Sequence, residues 1–379
     1  MARLGDICTV VSGSTPKTNI PEYWDGDIKW ITPAELNENS FYIFDSQRHI
    51  TELGKEKTGL SYMPAGTVIL SSRAPIGKTA IAGCELCCNQ GFKNLICSDA
   101  IFNEYLYFFL GSKTDYLNSL GRGATFKEIS KSIVENIEIR LPCLEEQKQV
   151  AKQLKHIYCL ISLRKQQLAK LDELVKARFV ELFGDRNDPQ IELIDLIIDG
   201  AGLSYGIVQP GEDGTGDMGV LRPVDMVDGK IATTSIKYID RSIGDGFKKT
   251  ELTGDELLIT VRGTTGITAL TDERFKKMNV TRGIAVVRYD RNKINPVYLN
   301  AFLNADESQR YIQEHTRGAT LQQINLSDLR VQKITVPPME LQVRFAAFAE
   351  QSDKSKLAVQ QSLDKLELLK KALMQKYFG

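Results

Sequence analysis

Three short stretches of this 379-residue chain hold residue types that could do chemistry. Gly214-Thr215-Gly216-Asp217-Met218-Gly219 has the G-x-G-x-x-G spacing of a dinucleotide-binding turn, Gly77-Lys78-Thr79 has the ending of a P-loop, and Cys84, Cys87 and Cys88 include a C-x-x-C. Each fails on context. The glycine run follows Gln209-Pro210-Gly211 instead of a strand, and Val220 to Val224 after it reads as strand where a helix is required. Glu212, Asp213 and Asp217 would also repel a pyrophosphate. In the second stretch the required first glycine is Ser72, and Pro75 removes a backbone donor from the phosphate cradle. The cysteine cluster has no second pair at finger spacing, and His49, His156 and His315 lie in unrelated settings. Small buried residues on a strand are the simpler reading of these thiols. No G-x-S-x-G occurs, and the many carboxylates form no recognisable set, so a non-catalytic chain without a metal is expected.

The elements that must position any site are clearer. Length suggests two or three domains with cores large enough to fold without staples. Seven cysteines, all in the first half, argue for reduced thiols rather than a disulfide framework. No run of 18 apolar residues exists and the N-terminus lacks the pattern of a signal peptide, so a cytoplasmic protein is expected. The net charge is +0, so contact with nucleic acid would have to come from local basic patches or a partner's surface.

The tetrapeptide Arg-Gly-Ala-Thr occurs at Arg122 to Thr125 and again at Arg317 to Thr320, 195 positions on. At that offset Arg122 to Gly184 aligns with Arg317 to Gly379 without a gap and with roughly a third of the pairs identical, an internal duplication. Within the first copy Val150, Leu154, Ile157, Ile161, Leu168, Leu171, Val175 and Leu182 follow the 4-3 alternation of a coiled-coil seam, interrupted by Arg164 and Arg178. The same register in the second copy includes Phe345, Ala349, Val359, Leu363, Leu366 and Leu373, with Lys356 and Lys370 where the first has Ile161 and Val175. Stripes with different gaps are expected to pack on each other. Each helix follows a proline and spans about 40 residues, or about 60 Å. Before each helix, Trp30 to Leu36, Gly66 to Gly77 and Asn103 to Leu110 are echoed in order by Val220 to Met226, Gly254 to Gly266 and Asn295 to Leu303, short strands with Gly and Pro turns and one helix. Asp185 to Pro189 reads as a linker.

With these residues in view, the chain resembles the specificity subunit of type I restriction-modification enzymes. Ser12-Gly13-Ser14-Thr15-Pro16-Lys17 and Tyr23 to Thr32 resemble the opening of that family's target-recognition domain, while Arg-Gly-Ala-Thr, Leu141 to Gln147 (echoed by Val336 to Gln342) and the long helices resemble its repeated regions. The resemblance implies an α+β chain with two mixed α/β recognition domains, each followed by a long helix, the helices packed as an antiparallel coiled coil with pseudo-twofold symmetry. The expected segments are 1–142 and 185–337 for recognition and 143–184 and 338–379 for the helices. It further implies that double-stranded DNA is read as a split, asymmetric target, that two methyltransferase subunits and restriction/translocase subunits dock on the helices, and that S-adenosylmethionine binds the methyltransferase partner and no cofactor binds this chain. The helix pair would act as a ruler between half-sites. Inserting whole helical turns into one long helix is then expected to shift the unread spacer in a methylation-site map and leave both half-sites unchanged; an unmoved spacer counts against the ruler.

Local chemistry supplies the DNA-contact candidates. In the first domain they are Ser71, Ser72, Arg73, Lys78, Gln90 and Lys93; in the second, Lys248, Lys249, Thr260, Arg262, Arg274, Lys276, Lys277 and Arg282. Arginine pairs with guanine and glutamine with adenine in the major groove, while serine and lysine suit phosphates. Arg73 and Arg262 occupy corresponding places and are the preferred readers. Arg122 and Arg317 suit either a phosphate or a structural role near the helix. The rival reading from another class is a helical assembly scaffold that does not touch DNA.

Overall fold

The computed structural model describes residues 1–37, 40–73, 75–123, 127–184, 186–214, 216–227, 229–319 and 321–379. Ala124, Thr125 and Thr320 of the repeated tetrapeptides, Thr215 of the glycine run and Asp185 of the expected linker lie outside them. The chain forms two compact units, Met1–Gln167 with Val359–Gly379, and Leu168–Ala358. Both boundaries between the units fall within a long helix, because each half-helix packs against the antiparallel half of the other copy.

In unit 1 a five-stranded sheet runs in the order Cys8–Ser12, Phe92–Cys97, Val68–Ser71, Thr79–Ala82 and Tyr42–Ile43, and a three-stranded sheet runs Arg48–Ile50, Trp24–Ile31 and Cys87–Cys88. The run Val68–Ser71 is buried at every position, as expected of a strand covered on both faces. The Tyr23 to Thr32 segment builds the second sheet: Trp30 is buried, its indole N–H donates to the Ser14 carbonyl at 3.0 Å, and it meets Trp24 edge-on at 5.1 Å. Helices Asn103–Ser112 and Thr114–Leu120 supply the aromatic side of the main core.

Unit 2 repeats this path. Its four-stranded sheet runs Ser204–Tyr205, Ile284–Val287, Leu257–Thr260 and Thr268–Leu270, and its three-stranded sheet runs Lys237–Ile239, Met218–Leu221 and Asn279–Val280. Met218–Leu221 is a strand, so the glycine run before it opens no helix. Pro296–Leu303 and Asp306–His315 take the place of the two core helices of unit 1.

The long helices are α1 (Leu144–Phe183) and α2 (Met339–Phe378). In unit 1, Gln153 accepts from the Tyr377 hydroxyl at 2.7 Å, the Lys370 ammonium lies 4.2 Å from the Tyr158 ring centre, and Lys165 pairs with Glu367 at 3.7 Å, a descending order that makes the pair antiparallel. In unit 2, Asp172 pairs with Lys356 at 2.7 Å and Phe179 and Phe183 meet Phe345 at 5.4 and 5.8 Å, again antiparallel. Val150, Leu154, Ile157 and Ile161 are buried, as are Val359 and Leu363; Leu168, Leu171, Val175, Leu366 and Leu373 are half-buried. The seam residues are thus buried or half-buried throughout, and the charged positions Lys356 and Lys370 within it pair instead of packing.

The repeated Pro-x-x-Glu-x-Gln has a structural explanation. Gln147, fully buried, accepts from the Phe102 N–H at 2.8 Å and donates to the Pro142 carbonyl at 2.9 Å. Gln342 makes the same pair of bonds with the Asn295 N–H and the Pro337 carbonyl, both at 2.8 Å. A buried amide that satisfies one donor and one acceptor ties the start of each long helix to the core helix of its domain.

Candidate nucleic-acid interface

The preferred arginines sit on one device built twice. In unit 1 the strands Val68–Ser71 and Thr79–Ala82 are joined by a loop braced from within: the Ser71 hydroxyl donates to the Pro75 carbonyl at 2.7 Å and accepts from the Lys78 N–H at 2.9 Å. Gly77, at φ +96°, turns the chain so that its N–H reaches the Ser71 carbonyl at 3.1 Å. Thr79 begins a strand there, so the Gly-Lys-Thr sequence does not open a phosphate-binding helix. The loop is then clipped at its root. The Ser72 N–H donates to the Gly91 carbonyl at 2.7 Å, the Ile129 N–H donates to the Ser72 carbonyl at 3.0 Å, and Arg73 and Arg122 both bridge to Glu128.

Unit 2 reproduces the backbone bonds and the bond accepted by the strand-end hydroxyl. The Thr260 hydroxyl accepts from the Ile267 N–H at 2.9 Å and Gly266, at φ +86°, donates to the Thr260 carbonyl at 2.8 Å. Val261 takes the place of Ser72, bonded to the Gly283 carbonyl at 2.8 Å and to the Ile324 N–H at 3.0 Å, and Arg262 and Arg317 both bridge to Gln323. The strand pairings Leu70 with Lys93 and Ile259 with Ala285 make Ala285 the counterpart of Lys93. The bonds to Gly91 and Gly283 make Gln90 and Arg282, which precede them, counterparts as well.

The side chains differ where the backbones agree. In unit 1 the Glu128 carboxylate accepts from Arg73 Nε at 2.9 Å and from Lys93 Nζ at 3.2 Å, and Lys93, 6% exposed, also reaches the Ser72 hydroxyl at 3.4 Å. Burial pushes the Glu128 carboxyl up, and the hydrogen bonds from Arg73 and Lys93 outweigh it, so the group titrates below its ordinary range. In unit 2 Arg262 is half-exposed, and its guanidinium has no hydrogen bond or ion pair among the described residues. Arg317 stands 3.8 Å from Asp328, and Arg282 is exposed with no ion-pair partner among the described residues.

The other candidates separate. Ser71, Ser72 and Thr260 are buried and their hydroxyls brace loops instead of facing solvent. The Lys78 ammonium is spent on the Leu36 carbonyl at 2.7 Å, and Gln90 is exposed, accepting from the Thr15 hydroxyl. Arg262, Arg282 and Arg317 gather at one end of the hairpin Leu257–Thr260/Thr268–Leu270. Arg274, Lys276 and Lys277 lie at the other end, about 10 Å of strand away. There Arg274 forks onto Asp272 at 2.7–2.9 Å and Lys276 pairs with Glu273 at 3.3 Å, whereas Lys277 is exposed and left-handed at φ +66°. Lys248 and Lys249 are exposed and belong to the same end, since Leu252, just beyond them, bonds to Lys277 and Met278. Glu128 and Gln323 escaped the sequence reading, although the 195-residue offset aligns them and their difference in charge was the available signal. Among the described residues no group of three His, Cys, Asp or Glu side chains is placed to hold a metal, and burial pushes the Cys87 thiol up to about 11.

A device this specific, duplicated in a chain with two antiparallel long helices, defines a class. The family described as "Type I restriction modification DNA specificity domain" matches residues 1–173 and again 216–368, and the chain belongs to that family. It is 42% identical over 186 residues to the type I restriction enzyme MjaIX specificity subunit of Methanocaldococcus jannaschii, covering 48% of this chain and 43% of that one. It is 21% identical over 312 residues to the EcoBI specificity subunit of Escherichia coli, covering 74% and 66%. The matched region is thus less than half of the first relative's length and about two thirds of the second's. In fold it is similar to the S subunit of a type I restriction-modification system from M. genitalium, with a TM-score of 0.61 at 13% identity over 100% of this chain and 95% of that one. A chain from a structure concerned with assembly and conformational transition of the type I R-M system matches equally, with a TM-score of 0.61 at 19% identity over 100% and 96%.

Proposed function

We propose that this chain is a non-catalytic, cytoplasmic DNA-specificity subunit of a type I restriction-modification system, in which each unit reads one half of a bipartite, asymmetric target on double-stranded DNA. The observation that carries this reading is the duplicated loop clip. Two domains share the backbone that presents a loop arginine while differing in the side chains around it, which is what reading two different half-sites requires. Methyltransferase and restriction subunits dock on the long helices, and S-adenosylmethionine is held by the methyltransferase. Support for protein partners comes from large apolar residues left in solvent on those helices: Leu163 at 53% and Leu368 at 71% exposure in unit 1, and Val180 at 64% and Leu357 at 61% in unit 2. No described helix is long and apolar enough to cross a membrane.

The same exposed leucines, with a net charge of +0, favour a second reading, an assembly scaffold that leaves DNA to its partners. A genome-wide map of methylated adenines in cells with and without this chain separates the two. A split motif that is present only with the chain is the expected result. A motif that persists unchanged in its absence, or gel shifts in which adding the chain to the methyltransferase brings no sequence preference, favours the scaffold.

A further inference from the structure

We propose that the residue facing the loop arginine decides whether that arginine reads DNA, so that Arg262 in unit 2 is a base-reading, specificity-determining residue while Arg73 in unit 1 is a structural brace. The inference rests on the DNA-reading function above and goes beyond it by assigning unlike roles to two arginines in equivalent places.

The lock in unit 1 has three parts, Ser72, Lys93 and Glu128, and all three change together in unit 2, to Val261, Ala285 and Gln323. Lys93 reinforces the lock from within. Its ammonium is almost wholly buried, and Glu128 is its only carboxylate among the described residues, so Glu128 is anchored in place by a charge that has nowhere else to go. An anchored carboxylate 2.9 Å from Arg73 Nε then fixes the guanidinium and occupies donors that a base would need.

In unit 2 the anchor is Ala285, fully buried and apolar, and the facing residue Gln323 is neutral. Only the arginine is retained. Its backbone clip needs no side chain at all, as the same bonds form in both units, yet Arg262 projects a planar five-donor group that meets no described partner. A fork of that shape matches O6 and N7 of guanine in the major groove. Arg282 and Arg317, rooted in the same knot of backbone bonds, supply positive charge beside it for phosphates.

The test uses the chain assembled with its methyltransferase partner and measures binding to duplexes carrying the target and single-base variants of each half-site. Q323E puts a carboxylate opposite Arg262 in the bridge position that Glu128 occupies opposite Arg73. It is expected to weaken target binding on the order of tenfold to a hundredfold, with the loss confined to one base pair of one half-site. Q323A, which removes the same side chain without adding charge, should bind like wild type. R262K keeps the charge and the exposure, so it should fold, keep its salt dependence and relax the preference at that same base pair. R73A should leave base preference in both half-sites unchanged. Retained preference in R262K, or a change of preference in R73A, would overturn the assignment. A wild-type complex with no preference among the duplexes would instead overturn the DNA-reading function on which it rests.

Discussion

Alanine at Gly206 is expected to destabilise unit 2 by on the order of 3–5 kcal/mol, in the extreme tail for a single methyl group. A Cβ there would lie 1.9 Å from the Val280 carbonyl oxygen and 2.5 Å from its carbon, against backbone that cannot swing aside. That carbonyl accepts from the Ile207 N–H at 2.8 Å, and the Ile207 carbonyl in turn accepts from the Arg282 N–H at 2.9 Å. Making room therefore breaks the bonds that seat Ile207, which is fully buried beside Met218, Val220 and Ile239. Because Arg282 hangs from the same bonds, the Arg262 end of the hairpin is disturbed with the core. Urea or thermal unfolding measures the effect, and Gly246→Ala, whose Cβ would meet nothing within 4 Å, is the control expected within about 0.5 kcal/mol of wild type. A Gly206→Ala protein as stable as the control would mean that the close crossing is not rigid.

Much of this architecture could be read from the sequence because its signals are local or periodic. The 4-3 stripe in Val150 to Leu182 is a property of one helix, and its gaps at Arg164 and Arg178 already implied a partner with complementary gaps. The duplication at 195 residues announced two domains of one design. Less legible was the fate of side chains in strands and loops, where a shift of one residue exchanges inside for outside. Ser71, Ser72 and Thr260 are DNA-contact candidates by residue type, and only their burial in the fold shows them turned inward. Arg262 and Arg274 are 12 positions apart in sequence, but the hairpin between them folds back and carries them to opposite ends of its strands. Glu128 and Lys93 are 35 positions apart and meet only because both approach the root of one loop.

The duplicated clip also explains how one fold can carry two different sets of outward side chains. Among the described residues, the path of the loop is set by backbone bonds, an internal hydroxyl, a glycine at positive φ and one side-chain amide from a neighbouring helix, Asn118 on the Ile76 carbonyl in unit 1 and Gln309 on the Gly266 carbonyl in unit 2. The outward side chains are therefore free to vary without moving the loop. A change from Gln90 to Arg282, or from Glu128 to Gln323, alters charge and hydrogen-bonding capacity on a scaffold that stays put. Glu128 is the exception: buried Lys93 pairs with it, so these two positions can change only together.

The end of unit 2 away from Arg262 depends on a single carboxylate, and Glu256→Ala is expected to destabilise by about 3–4 kcal/mol, with Glu256→Gln costing roughly 1–2 kcal/mol. Glu256 is fully buried and accepts five hydrogen bonds: from the Thr253 N–H and hydroxyl, both at 2.7 Å, from the Gly254 and Asp255 N–H groups, both at 3.1 Å, and from the Thr271 hydroxyl at 2.9 Å. Arg288 Nε stands 3.6 Å from it and finds no hydrogen-bond partner of its own, so removing the carboxylate strands the donors and takes the counter-charge from a guanidinium left with its Nη2 bond to the Glu251 carbonyl at 2.6 Å. Glutamine keeps one oxygen but turns an N–H pair toward groups that are themselves donors, which is why it rescues only in part. The equivalent position in unit 1, matched through the bonds Ala82 to Thr67 and Thr271 to Glu256, is a threonine whose hydroxyl simply donates to the Pro64 carbonyl at 2.7 Å. Thr67→Ala should therefore cost only about 1 kcal/mol, the worth of one ordinary hydrogen bond. The ratio between the two losses, read from urea midpoints at constant slope, checks the account: equal losses at Glu256 and Thr67 would show that the buried carboxylate does not organise its end of the hairpin.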